Sequence, residues 1–360
     1  MKRLIAAFAP PALAIALFYA LVPTGLAAGA AARGFAASWQ SAAALLTAPL
    51  PFSVMEVLAA VLILWLLYVL GRLILPGSKK RAVKRLITYV AVLCYGVAAF
   101  LWVWSPAYFA PPLYDGVLTR GGITVAQLQK TAEAFRDDAN ALADSVPRDA
   151  NGSFAVDTDE VLWLSAGLYN GLVAEFPKLR ITEAKPKPLL ISAFMSRTGY
   201  TGIYFALTGE PNVNITSPRA LLPSTVAHEL AHAYGVARED AANFFGIAAC
   251  VTSDTNIYRY SGYLDGLLLL GNALYAADSA AYYELAEGYS DSVRQDLRDN
   301  SAYWAEIVER NAKSPAMEAV STAVNSTYDT FMRSNGQENG LKTYGECIDL
   351  LVEWHLNRQI

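Results

Sequence analysis

Residues 226–232 read Val226-Ala227-His228-Glu229-Leu230-Ala231-His232, and this stretch decides what kind of fold the chain needs. Pro223, just upstream, suits the first turn of a helix, where its missing amide proton leaves no bond unmade. On the helix that follows, His228 and His232 stand four residues apart and share one face. That spacing lets both imidazoles reach one Zn²⁺ at about 2.0–2.1 Å, with Glu229 between them directed at the metal's water. The chain has only three histidines, so an accidental H-E-x-x-H is on the order of a one-in-a-thousand event.

A catalytic zinc site needs a third protein ligand and one open position. Gly235 lies three residues after His232, where a left-handed conformation ends the helix and turns the chain back. In the metzincin pattern the third ligand would fall on Arg238, a permanent cation with no lone pair to offer. The next residue opens Glu239-Asp240-Ala241-Ala242-Asn243, which resembles the E-x-x-A-D stretch that supplies the third ligand in the membrane-bound HtpX metallopeptidases. The resemblance implies Glu239 as the ligand, with Asp240 as the alternative. On a new helix Asn243 stands one turn beyond Glu239, placed to orient its carboxylate.

Outside this stretch the composition is that of a membrane protein. Of the 360 residues 54% are hydrophobic and 17% charged, more apolar and less charged than an ordinary soluble chain. The 28 basic and 32 acidic residues leave a net charge of −4, with no basic surplus for a phosphate backbone, so no nucleic-acid partner is expected. Three apolar runs, 4–22, 54–75 and 86–104, each approach the ~20 residues that cross a bilayer as a helix. Ser53 and Glu56 form a capping-box signal ahead of the second run, and Pro76 and Gly77 end it. Pro10 and Pro11 interrupt the first, which is expected to be a retained anchor, with a cleaved signal peptide ending in the Ala-rich residues 26–32 as the alternative.

Lys79, Lys80, Arg81, Lys84 and Arg85 crowd the link between the second and third runs, whereas residues 23–51 carry only Arg33. By the positive-inside rule that link and the Lys2 and Arg3 terminus are cytoplasmic, which puts everything beyond about Ser105 outside. Residues 1–105 therefore read as a membrane anchor with about three transmembrane helices, and residues 106–360 as an extracytoplasmic, zincin-like domain. Thr124 and Gln127 open a helix to about Leu142, and 159–176 reads as a second. The β signal is confined to 189–195, 202–207 and 212–215, after which the pattern is helical. Cys250 and Cys347 are the one pair that could form a disulfide, Cys94 lying in an apolar run.

Thr208-Gly209-Glu210-Pro211-Asn212-Val213-Asn214, residues 226–250, Tyr258-Arg259-Tyr260-Ser261-Gly262-Tyr263, and Ser334-Asn335-Gly336-Gln337-Glu338-Asn339-Gly340 with Thr343-Tyr344-Gly345 together resemble the bacterial family known as domain of unknown function 3810. The likeness extends upstream to Leu50-Pro51-Phe52-Ser53. It implies a multi-span anchor and a HELAH-type zinc site, with no established substrate. One departure stands out: the family often has Glu where this chain has Ala241.

The expectation is thus a mainly α-helical protein, with N-terminal transmembrane helices followed by a mostly helical zincin-like domain carrying a small β-hairpin or sheet. Its expected function is a membrane-anchored zinc metallopeptidase acting on peptide or protein substrates at the extracytoplasmic face, its partners being the lipid bilayer and that substrate. Glu229 is the expected catalytic base, His228, His232 and Glu239 the metal ligands, Asn243 their outer support and Tyr263 an oxyanion stabiliser. A noncatalytic zincin-fold envelope module for binding or scaffolding is the contrasting reading. His355 reads as structural or exposed, and Tyr282, Tyr283, Tyr303, Trp304 and Tyr328 as core.

Overall fold

The computed structural model describes residues 2–75, 77, 79–340 and 346–358, without the side chains of Lys2 and Arg3. Pro76 and Thr343-Tyr344-Gly345, singled out above, lie outside the described residues. The chain is mainly helical with a small mixed sheet. The elements are α1 (Lys2–Leu21), α2 (Ala28–Ala30), α3 (Ala37–Thr47), α4 (Val54–Ile74), α5 (Lys79–Val103), α6 (Pro106–Phe109), α7 (Val125–Ala143), α8 (Thr158–Leu164) and α9 (Asn170–Val173). There follow β1 (Lys187–Pro188), α10 (Ser192–Thr198), β2 (Gly202–Phe205), β3 (Glu210–Val213), α11 (Leu222–Ala233), α12 (Glu239–Val251), α13 (Asn256–Ala277), α14 (Ser279–Glu287), α15 (Asp291–Ala312), α16 (Pro315–Ser334) and α17 (Ile348–Arg358). Two compact units are formed, one from residues 1–111 with 205–210, the other from 112–204 with 211–360.

Among the described residues of the first unit three helices are long and apolar enough to cross a membrane, which supports a multi-pass membrane protein. Their large side chains stay exposed: Val61, Ile63, Leu64 and Leu67 of α4 are each more than half accessible, as side chains facing hydrocarbon must be. Pro10 and Pro11 sit inside α1 without ending it; each deletes one backbone bond, a defect that membrane helices tolerate. Phe18 packs edge-on against Trp102, whose indole N–H donates to the Ala14 carbonyl at 2.9 Å, tying α1 to α5. The third apolar run lies within a longer helix that begins at Lys79: the basic residues form its exposed first turns, because Lys and Arg are good helix formers whose stems can lie along the helix while the charge stays in water. Residues 28–47 are also helical, α2 and α3 being joined by a π-helical segment, Ala31–Ala36.

The hairpin tip 205–210 belongs to this first unit. Thr47 Oγ1 donates to the Thr208 carbonyl at 3.1 Å, and the Glu210 carboxylate accepts the Val54 and Met55 amides at 2.9 and 3.0 Å. With Ser53 Oγ accepting from the Glu56 amide, three of the four unpaired amides at the α4 N-terminus find oxygen partners, and the Glu210 charge sits at the positive end of the helix dipole.

In the second unit the capping box at Thr124 and Gln127 starts α7 as expected. Helices α11, α12 and α13 pack on one another, α13 also lies along α7, and Phe244, Phe245, Ile247, Tyr258 and Tyr260 fill the interior. Two expectations are corrected here. Residues 159–176 do not form one helix: the chain breaks between α8 and α9 at Gly167, whose φ of +75° a helix cannot hold. Nor do residues 189–195 form a strand; only Lys187–Pro188 does, and Ser192 opens α10 with its hydroxyl bonded to the Leu189 carbonyl and the Ile215 amide. A seven-residue apolar run does not by periodicity distinguish strand from helix. In the sheet β3 lies between β1, with which it is parallel, and β2, which is an edge. Cys94, Cys250 and Cys347 are all free thiols.

Candidate metal centre

Helix α11 starts with Pro223 in its first turn and is buried along nearly its whole length. It ends in a Schellman motif: the Val236 amide donates to the Ala231 carbonyl and the Gly235 amide to the His232 carbonyl, both at 3.1 Å, with Gly235 at φ +99°. This reversal lets α12 begin at Glu239 and return against α11, bringing Glu239 back to the two histidines.

The three side chains form one cluster. His228 Nε2 lies 3.1 Å from His232 Nε2 and 3.1 Å from Glu239 Oε2, and His232 Nε2 lies 3.4 Å from the same oxygen. His232 Nδ1 is 2.6 Å from the Val236 carbonyl, which can only accept, so Nδ1 carries a proton and Nε2 is the nitrogen that would hold an ion once it gives up its own. Oε1 of Glu239 accepts from the Tyr328 phenol on α16. Glu239 and His232 are almost fully buried, and His228 is partly open to a cleft. Burial alone would raise the Glu239 pKa, but the histidines outweigh it and hold the carboxyl well below its usual range. Burial would lower that of His232, but Glu239 carries it up to about 9.

Asp240, one residue on, faces elsewhere. It is wholly buried and paired with Arg120 at 2.8 Å and Arg238 at 3.3 Å, and its Oδ1 accepts the Ala241 amide. Arg238, excluded as a ligand by its charge, thus serves the neighbouring acid. Ala241 is itself buried, on a helix whose first residue already faces the histidines.

Glu229 points into a cleft of about 550 Å³ that His228, Asn243, Tyr200, Asn300 and Trp304 also line. Burial pushes its pKa up to about 7, against the opposing pull of His228 and His232. Its Oε2 is buried with no hydrogen-bond partner. The edge strand begins directly against it: a Cβ on Gly202 would sit 2.4 Å from Glu229 Oε1.

The other expected residues are spread more widely. Asn243 lines the cleft. Tyr263 packs edge-on against Phe135 of α7, its pKa pushed up to about 12 by burial and by Asp138, so its ring lies with α7. His355 is half-buried, also against Phe135. Tyr328, read from sequence as core, instead holds Glu239. It lies 89 residues further on, and no local pattern in the sequence signals the pairing. Tyr200 and Asn300 carry no such signal either, because only folding brings them to the helix of the H-E-x-x-H motif.

Together these features define a membrane-anchored helical protein with a buried His/His/Glu cluster that could chelate a metal ion. The chain belongs to the family described as protein of unknown function (DUF3810), which matches residues 32–352. Neither the curated proteins nor the solved structures give a match to it.

Proposed function

We propose that this protein is a membrane-anchored zinc-dependent metallopeptidase that hydrolyses peptide bonds at the extracytoplasmic face, with residues 1–105 as anchor and 106–360 as the peptidase domain. The observation that carries the reading is the donor spacing. Three ligands about 2.0–2.1 Å from one ion at tetrahedral angles stand about 3.3 Å apart, and the three donor pairs here stand 3.1, 3.1 and 3.4 Å apart. His228, His232 and Glu239 would hold the ion, and two neutral nitrogens with one carboxylate are a donor set of catalytic zinc sites.

When bound, zinc would lower the pKa of water towards ~7 and polarise the scissile carbonyl. Glu229 takes the proton of the attacking water as the carbon–oxygen bond forms, then returns it to the amine nitrogen as the carbon–nitrogen bond breaks. A buried carboxylate oxygen that faces the cleft with no hydrogen-bond partner suits both transfers. The Val236 carbonyl fixes the His232 ring, and Tyr328 fixes Glu239, so the ligands need not reorganise.

The test is the metal content of the purified full-length protein against a His228→Ala variant, followed by peptide hydrolysis with wild type and Glu229→Gln. Stoichiometric zinc in wild type, its loss in His228→Ala, and retained zinc without hydrolysis in Glu229→Gln are expected. Wild type that takes up no zinc under metal-replete conditions would sink the reading. Zinc without hydrolysis of any peptide would leave a noncatalytic metal-binding module instead.

A further inference from the structure

Buried polar atoms without partners are uncommon in native structures, and each asks for a reason. Three of those among the described residues line the same cleft: Glu229 Oε2, Tyr200 Oη and the carboxamide oxygen of Asn300. One is a base, one a donor and one an acceptor. A peptide group at the point of attack needs a base for the water, a donor for the carbonyl oxygen and an acceptor for the N–H.

We infer that Tyr200 donates a hydrogen bond to the carbonyl oxygen of the scissile peptide as it becomes an oxyanion, and that Asn300 accepts an N–H of the same substrate backbone. The inference rests on the metallopeptidase reading and replaces Tyr263 in the oxyanion role. Water adds to the carbonyl carbon and gives its proton to Glu229. The carbonyl π pair moves onto oxygen, where the Tyr200 O–H stabilises it without transferring its proton. The carbon–oxygen double bond then re-forms as the carbon–nitrogen bond breaks and Glu229 returns its proton to the leaving nitrogen, yielding an amine and a carboxylic acid that loses its proton to solvent.

Tyr200 is built for a fixed donor. It follows the left-handed Gly199 that ends α10, and its amide donates to the Met195 carbonyl at 3.1 Å. Its carbonyl accepts from Asn214 Nδ2 at 3.0 Å, and buried Asn214 also donates to Ser196 Oγ at 2.8 Å. The ring stands edge-on to Tyr328, centroids 5.5 Å apart, so the phenol shares a support with Glu239. Burial pushes its pKa up to about 12, which keeps it protonated. A donor aimed in advance costs no reorganisation during reaction; removing one such donor lowers kcat by roughly 10²–10³.

The experiment uses the full-length, detergent-solubilised, zinc-replete protein and a quenched fluorescent random-sequence peptide library. A phosphonamidate version of the best-cleaved peptide serves as probe, its tetrahedral anion presenting an oxygen where the oxyanion would form. Tyr200→Phe should lower kcat about 100-fold with KM nearly unchanged, and weaken calorimetric binding of the phosphonamidate by a similar factor, with zinc content and melting temperature unaltered. Asn300→Ala should weaken both peptide and phosphonamidate by roughly 2- to 10-fold. Wild-type kcat and phosphonamidate affinity in Tyr200→Phe would overturn the inference and leave the metallopeptidase reading standing. Loss of zinc in that variant would overturn it too, by making Tyr200 a support of the ligands. Zinc-loaded wild type that cleaves no peptide would overturn both.

Discussion

Tyr328 donates its phenol proton to Oε1 of Glu239, while Oε2 of the same carboxylate lies 3.1 Å from His228 Nε2. One oxygen is thereby held by the fold and the other left for the cluster. Loss of such an outer partner typically costs 10- to 100-fold in metal affinity. Tyr328→Phe should therefore fold normally, as judged by circular dichroism, yet lose zinc to a competing chelator about 10- to 100-fold more readily. Equal resistance to the chelator would show that Glu239 needs no such anchor.

Glu239 and Asp240 are adjacent acids with opposite surroundings. Asp240→Asn weakens the charge-assisted bonds to Arg120 and Arg238 inside the protein, and should lower stability by roughly 1.5–3 kcal/mol while zinc stays bound. Glu239→Gln should do the reverse, losing zinc with less effect on folding. Thermal melts and metal analysis of the two variants separate the roles. Zinc lost from Asp240→Asn but retained by Glu239→Gln would move the ligand by one position.

Gly202 leaves no room for a side chain: an added Cβ would approach Glu229 Oε1 to 2.4 Å and Cγ to 2.6 Å. Gly202→Ala must displace either the edge strand or the Glu229 side chain, at a cost of about 1–3 kcal/mol. Because the three candidate ligands are untouched, zinc content should stay at wild-type level while hydrolysis falls sharply. Wild-type turnover in this variant would mean that the strand and Glu229 need not keep their present contact.

The orientation in the membrane rests on the five basic residues between 79 and 85. A reporter active only outside the cytoplasm should work when fused after Gln127 and fail when fused at Gly77. The opposite pattern would place the histidines on the cytoplasmic side.

Much of the fold was legible because it depends on local chemistry. Apolar length marked the three long helices, Thr124 with Gln127 marked the start of α7, and the i, i+4 histidines followed from helical geometry alone. The errors fell where local signals were ambiguous: a short apolar run that became α10, and residues 159–176, which Gly167 divides into two short helices.

What the sequence determined by itself was the membrane-anchored helical class and the pair of histidines on one helix face, since hydrophobic length and the 3.6-residue period need no knowledge of the rest of the chain. The tertiary structure decided the company those histidines keep. Sequence left Glu239 and Asp240 as alternatives, and the crossing of α12 on α11 turned one carboxylate to the imidazoles and the other to Arg120. It also set Tyr328, Tyr200 and Gly202 around the cluster from distant segments. The reason is that burial and hydrogen-bond partners belong to the packed chain, and no spacing along the sequence encodes which side chains will meet.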